Sequence, residues 1–223
     1  FGEAGDRVVV EISPTSERLQ LLEPFPAWDG QDFSDLVVLV KTKGKTTTDH
    51  ISPAGPWLRF RGHLDRISDN MFLGANNAFY PEAGKGTDVL SGESGLAIAQ
   101  IARRYKAKGI GSIVIGDENY GEGSSREHAA MSPRYLGVKA VLVRSFARIH
   151  ESNLKKQGIL PLTFADPKDY DLLEQNDRVN IRGLAALAPG KPLTVSVSKP
   201  DGRALSFKVN HSLTAEQITW FKA

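Results

Sequence analysis

The chain has 223 residues, 40% of them hydrophobic, and 28 basic against 26 acidic side chains give a net charge of +2. That is enough apolar material for one large domain plus an arm, and the basic residues are too dispersed to argue for a nucleic-acid partner. No cysteine is present and no run approaches the roughly 18 apolar residues of a membrane span, so disulfides, thiol catalysis, thiolate zinc, cysteine-held iron–sulfur clusters and a spanning helix are excluded from this chain taken alone.

The N-terminus carries Glu3, Asp6 and Glu11 around a short apolar patch, unlike a secretory signal or an acid-poor transit peptide, so any targeting segment is expected outside the chain. Residues 1–33 hold Pro14, Pro24 and Pro26 with Leu19, Leu21, Leu22, Phe25 and Trp28 between them, which predicts an extended arm too apolar to be a free linker. The domain proper is expected over 34–223. Leu36 to Lys41, LVVLVK, reads as a buried strand, and KTTTDHISPAGPW after it reads as a polar loop. From Asn70 to Gly95 glycine, asparagine and acidic residues predict a long excursion, and a helical spacing returns from Ala97 to Tyr105.

Then strand and helix patterns alternate. SIVIG predicts a strand, Ser125 to Met131 a short helix, KAVLVRS a strand, ARIHESNLKKQ a helix and ILPLTF a strand, in the manner of strand–helix–strand crossovers. VSVSKPDGRALSFKV reads as a hairpin turning at Pro200-Asp201-Gly202. TAEQITWF opens a last helix, in which Thr214 and Gln217 have capping-box spacing.

The stretch GDENYGEGSSREHAA, Gly116 to Ala130, joins a strand to a helix through a glycine-rich turn. Backbone N–H groups and a helix dipole converge at such a junction and favour an anion. GEGSSR is not a dinucleotide fingerprint, because Arg126 stands where the third glycine should allow close packing. Nor is it a hydrolase elbow: Ser124 is flanked two residues away by Glu122 and Arg126, Ser125 by Gly123 and Glu127. Two readings stay open, a serine that caps the helix and a reactive serine beside a guanidinium. Upstream, DHISPAGPWLRFRGH places Asp49 and His50 near the start of a loop and Arg59, Arg61 and His63 near its end. These form either a second anion contact or a solvated surface loop. His50 and His63 have no third ligand near them in sequence, a poor metal pattern. His128 and His150 fall in helix segments and read as structural.

TTDHISPAGPWLRFRGHL, GDENYGEGSSREHAA, SFARIHESNLKKQGILPLTFADP and the closing QITWF together resemble the C-terminal, swivelling domain of aconitases, closest to the mitochondrial type. The resemblance covers nearly the whole chain, including the arm SPTSERLQLLEPFPAWDG, which is similar to the family's interdomain linker. It is thinnest from about Met71 to Arg104. It implies a three-layer β/β/α swivelling fold and the interconversion of citrate and isocitrate through cis-aconitate. It also implies a 4Fe–4S cluster held by domains absent from this chain, with no metal in the chain itself, and a mitochondrial matrix location, or the cytoplasm in a bacterium. Residue by residue, the resemblance makes Ser124 the base that removes a proton from carbon, sets Arg126 and the Ser125 backbone against the reacting centre, gives Arg61 a substrate carboxylate, and makes Asp49 a polar residue of the site. The arm is expected to pack on the absent, cluster-bearing domains, and a chain ending at ITWFKA is expected to be a fragment.

The nearest alternative is the small subunit of an isopropylmalate isomerase or homoaconitase-type hydro-lyase, which shares the serine–serine–arginine loop but has an apolar substrate group with no use for Arg61. The other alternative is an RNA-binding aconitase-like module, disfavoured by the near-neutral charge.

Overall fold

The computed structural model describes residues 9–223; Glu3 and Asp6, and the first eight residues of the arm, lie outside the described residues. Strand β1 (Phe33–Lys41) is buried at every position from Leu36 onward, β4 (Ser112–Gly116) throughout, and β5 (Val138–Val143) at all but Lys139. Strands with no solvated face need cover on both sides, and parallel sheets supply that situation. Accordingly β1, β4, β5 and β6 (Leu160–Phe164) run parallel in that order. An antiparallel half made of β7 (Arg178–Arg182), β8 (Leu193–Ser198) and β9 (Ala204–Asn210) joins β6 at one edge and β1 at the other, closing a seven-stranded barrel.

Two cores follow from the two faces of the parallel half. Leu36, Val38, Ile113, Ile115, Leu142 and Leu162 point into the barrel and meet Val179, Ile181, Val195, Val197, Phe207 and Val209 of the antiparallel half. Val37, Leu39, Val114, Val141 and Val143 point outward and meet Ile98, Ile101 and Tyr105 of helix α3 (Ile98–Ala107), Ala129 and Ala130 of α4 (His128–Tyr135), and Leu154 of α5 (Arg148–Lys156). The layers are antiparallel sheet, parallel sheet and helices, the expected β/β/α order. In β8 every second residue is buried, as a sheet with one wet face requires.

The hairpin turns where its Pro-Asp-Gly predicts, with the Lys199 N–H donating to the Arg203 carbonyl at 2.8 Å. Helix α6 (Ala215–Lys222) carries the predicted capping box, in which the Thr214 hydroxyl accepts from the Gln217 N–H and the Gln217 side chain accepts from the Thr214 N–H.

Three segments differ from expectation. The 70–95 excursion is anchored rather than loose: Met71, Phe72 and Ala75 are buried in the outer core, and a small ribbon of β2 (Lys85–Thr87) and β3 (Ser94–Ala97) feeds α3. The polar loop after β1 contains a four-residue helix, α1 (Thr48–Ile51), and a 3-10 helix over Gly55–Phe60, followed by α2 (Leu64–Ile67). Strand β7 has no marked apolar run, because Asn180 at its centre is buried with its side-chain oxygen accepting the Asp35 N–H at 3.0 Å.

The arm lies along this domain. The Gln20 N–H donates to the Gly62 carbonyl at 2.9 Å, the Asp65 N–H donates to the Gln20 side chain at 2.9 Å, and Trp28 packs on Phe221 with ring centroids 5.6 Å apart. Val9, Val10, Leu19 and Leu21 of the arm stay exposed.

Candidate active site

The C-terminal ends of β1, β4 and β5 lie side by side, with Lys41 opposite Ile115 and Gly116 opposite Val143, and the loops that leave them meet on one rim. Ligand sites in parallel sheets gather at such ends. The glycine-rich loop is strapped to both neighbours. On one side the Gly121 N–H donates to the Thr46 carbonyl at 2.7 Å and the Thr48 N–H to the Glu122 carbonyl at 2.9 Å; on the other, the Tyr120 N–H donates to the Ser145 carbonyl at 2.9 Å. Gly121 has φ +84°, and a Cβ there would stand 2.3 Å from the His150 ring. Only glycine fits both demands.

Beyond Gly123 the chain presents Ser124 and Ser125 to solvent. Helix α4 starts at His128, three residues later than the composition predicts, its N-cap residue is Glu127, and no side chain caps it. The capping reading of the serines therefore fails. They precede the helix in a bend and an irregular stretch, and the charged group beside them is Arg126.

Arg126 Nη1 donates to the Asp49 carboxylate and, at 3.0 Å, to the Ser52 carbonyl. Both bonds use one nitrogen, and a guanidinium has three further N–H groups on Nε and Nη2. Asp49 sits in the first turn of α1, which is held by a capping box between Thr47 and His50. The loop bearing Arg61 is drawn to the same rim by His128, whose Nε2 lies 2.9 Å from the Arg61 carbonyl. A carbonyl only accepts, so His128 carries its proton on Nε2. The Arg61 side chain is exposed and lines, with Arg18 and Arg59, a groove of about 640 Å³ beside the arm. Of the five residues singled out in the sequence, Asp49 and Arg126 meet directly, Ser124 and Ser125 adjoin Arg126 in the chain, and Arg61 is tied to this region through its carbonyl while its side chain lines the groove beside the arm.

His50 and His63 each use Nδ1 to accept an N–H at the start of a short helix, from Thr47 at 3.1 Å and from Arg66 at 3.3 Å. Among the described residues no group of three or more His, Cys, Asp or Glu side chains converges as a metal site would require.

Of two further residues of the rim, Asp117 escaped the sequence reading and His150 was read there as structural. Asp117 accepts the Gly44 N–H at 2.8 Å, the Glu118 N–H at 3.0 Å and Arg144 Nη1 at 3.0 Å, so one carboxylate ties all three loops. Burial pushes its pKa up, but the Gly44 N–H and Arg144 outweigh that and hold it below the usual range. Its signal in the sequence is an acid placed directly after a buried strand. His150, the second, lies under the glycine-rich loop with both ring nitrogens buried and unpartnered and its ring 5.4 Å from that of Tyr120. Burial pushes its pKa down to about 4.

A histidine kept neutral in the fold and protonated more easily when unfolded stabilises fully above the unfolded pKa of about 6.5, and loses that contribution as pH falls toward its folded value. Acidification from pH 7 toward pH 4 is therefore expected to remove up to roughly 3 kcal/mol through this residue. Thermal unfolding of wild type and His150→Asn across that range checks it: the wild type should lose more stability than the variant. Parallel curves would refute the assignment.

The family model described as the aconitase C-terminal domain matches residues 36–167. The chain belongs to the aconitase C-terminal domain family. The matched span of this aconitase domain contains Asp49, Arg61, Ser124, Ser125 and Arg126. The chain is 56% identical over 216 residues to the mitochondrial aconitate hydratase of Gracilaria gracilis, covering 97% of this chain and 28% of that protein. It is 58% identical to a probable mitochondrial aconitate hydratase of Caenorhabditis elegans, over 96% of this chain and 27% of the relative, and 55% identical to the mitochondrial aconitate hydratase of Saccharomyces cerevisiae, over 96% and 28%. The aconitase domain therefore spans little more than a quarter of the length of these relatives. Among solved structures, a 3-isopropylmalate dehydratase from Methanocaldococcus jannaschii superposes with a TM-score of 0.52 over 84% of this chain and 86% of that one, at 21% identity. That likeness shows the fold.

Proposed function

We propose that this chain is the part of an aconitate hydratase that supplies the base and two carboxylate-orienting arginines for the reversible isomerisation of citrate to isocitrate through cis-aconitate. The observation that carries the reading is the Arg126 guanidinium, fixed by Asp49 and the Ser52 carbonyl two residues from an exposed, uncapping Ser124. A serine hydroxyl is a feeble base unless its alkoxide is stabilised, and an adjacent cation with backbone N–H groups is the means of doing so in a dry site. Ser124 takes the proton from carbon. Arg126 and the Ser125 backbone N–H face the reacting centre, and Arg61 holds a carboxylate from the neighbouring loop, so that the right carbon is presented to the base. Asp49 keeps Arg126 in place.

Because both serines are exposed in this chain, the dry environment arises only when the remainder of the enzyme covers the rim. The exposed arm residues Val9, Val10, Leu19 and Leu21 supply apolar surface for contact with it. The residues present do not fit a 4Fe–4S cluster: there is no cysteine and no convergent ligand set among the described residues. The cluster is assigned to the rest of the same enzyme. The relatives' names support a mitochondrial location.

Replacing Arg61 by lysine in the complete enzyme keeps the charge but removes the planar two-pronged hold on a carboxylate. The Michaelis constant for citrate is expected to rise on the order of tenfold or more, with a smaller fall in kcat. Steady-state kinetics on the Arg61→Lys variant test this, and unchanged constants would remove Arg61 from the site.

A further inference from the structure

The edge of the sheet opposite the rim carries a different feature. Arm residues 20–26 cross the N-terminal ends of β4 and β5 as a lid, fixed at one end by the Gln20 bond to Gly62 and at the other by Arg134 Nη2, which donates to the Pro26 carbonyl at 2.8 Å. Under this lid is a cavity of about 580 Å³, lined by Leu22, Phe25 and Ile110 and by the cations Lys106, Arg134 and Lys139. The volume falls in the range of small-molecule sites.

Its electrostatics are one-sided. Glu23 is the single carboxylate in the lining, and among the described residues none of the three cations forms a salt bridge. Arg134 adds a third positive charge beside the cavity, with its Nη2 on the Pro26 carbonyl and its Nε buried. Burial lowers the pKa of all three; Arg103 adds repulsion at Lys106 and Arg134 at Lys139, partly offset by Asp65 and Asp29. Three like charges around one half-open cavity are relieved by a ligand with more than one negative charge. A bare inorganic anion would leave the wall of Leu22, Phe25 and Ile110 without a partner. An apolar ligand would leave the mutual repulsion of the cations unrelieved.

We propose that this cavity binds a phosphate ester of nucleotide size, its phosphates on Lys106 and Lys139 and its ring body against Phe25, Leu22 and Ile110. The site is separate from the rim and does not rest on the reaction assigned there.

The test is titration calorimetry on this chain with ATP as the probe, at low ionic strength. Saturable one-to-one binding is expected, with Lys106→Gln and Lys139→Gln each weakening it about tenfold and Glu23→Gln tightening it. Both lysines are partly exposed, so the variants should keep the wild-type melting temperature, and the gain from Glu23→Gln cannot come from misfolding. Absence of binding at millimolar ATP would overturn the proposal, as would affinity indifferent to both lysine variants. Equal affinity for tripolyphosphate would show that the apolar wall takes no part, and equal affinity for citrate that phosphate is not what is recognised; either overturns the ligand class.

Discussion

In the complete enzyme, Ser124→Ala is expected to lower citrate turnover by several orders of magnitude while leaving substrate affinity within a few fold, because a base acts in the transition state and contributes little to ground-state binding. The structure sharpens what should happen to stability. A serine that capped a helix would take about 1 kcal/mol with it when truncated. Ser124 lies outside helix α4, whose N-cap is Glu127 without any side-chain cap, and its side chain is exposed, so the melting temperature should stay at the wild-type value. Ser125→Ala is the control, because the role proposed for Ser125 uses its backbone N–H and survives loss of the hydroxyl. A variant at 124 that is active but less stable would refute the base. A larger loss at 125 would mean the neighbouring hydroxyl carries the chemistry.

Gly121→Ala should be among the most damaging single-atom additions the chain can suffer. The residue holds φ +84°, and a Cβ would stand 2.3 Å from the ring of His150, itself only 1% exposed and without room to withdraw. Overpacking of a buried site together with left-handed strain predicts a loss on the order of 3–5 kcal/mol. Chemical denaturation of this chain measures it directly. In a His150→Gly background the ring and the Cβ that would stand 2.4 Å away are both gone, and the same substitution should cost only about 1 kcal/mol, the strain alone. Additive effects in the double variant, or a cost under 1 kcal/mol in the wild-type background, would show that the loop has slack and that His150 does not buttress it.

What could be seen in the sequence divides along physical lines. Strands β1, β4, β5 and β6 were legible because continuous apolar runs have few other uses, and the hairpin and last helix because a Pro-Asp-Gly turn and a Thr-x-x-Gln cap act over a few residues. Strand β7 was not, since it hides Asn180 through a hydrogen bond to Asp35 that no local pattern announces. The start of α4 was misplaced because Ser125, Arg126 and Glu127 have unremarkable helix propensity, while the ion pair to Asp49, 77 positions away in the chain, holds Arg126 outside the helix. The same limit applies to the rim. Its glycines, serines and arginines stood out as a motif, but Asp117 with Arg144 and His128 with the Arg61 carbonyl are long-range ties, one of them to a backbone atom that carries no sequence signal.

The proton transfer assigned to Ser124 is tested most directly by the rate at which the substrate's reacting carbon exchanges hydrogen with deuterated solvent, measured by NMR in the complete enzyme with and without Ser124→Ala. If Ser124 is the group that takes that proton, exchange should fall by the same several orders of magnitude as turnover, and Ser125→Ala should leave it close to wild type. Exchange that persists in Ser124→Ala while turnover is lost would contradict the assignment, because the proton would then be leaving to a base that this loop does not supply.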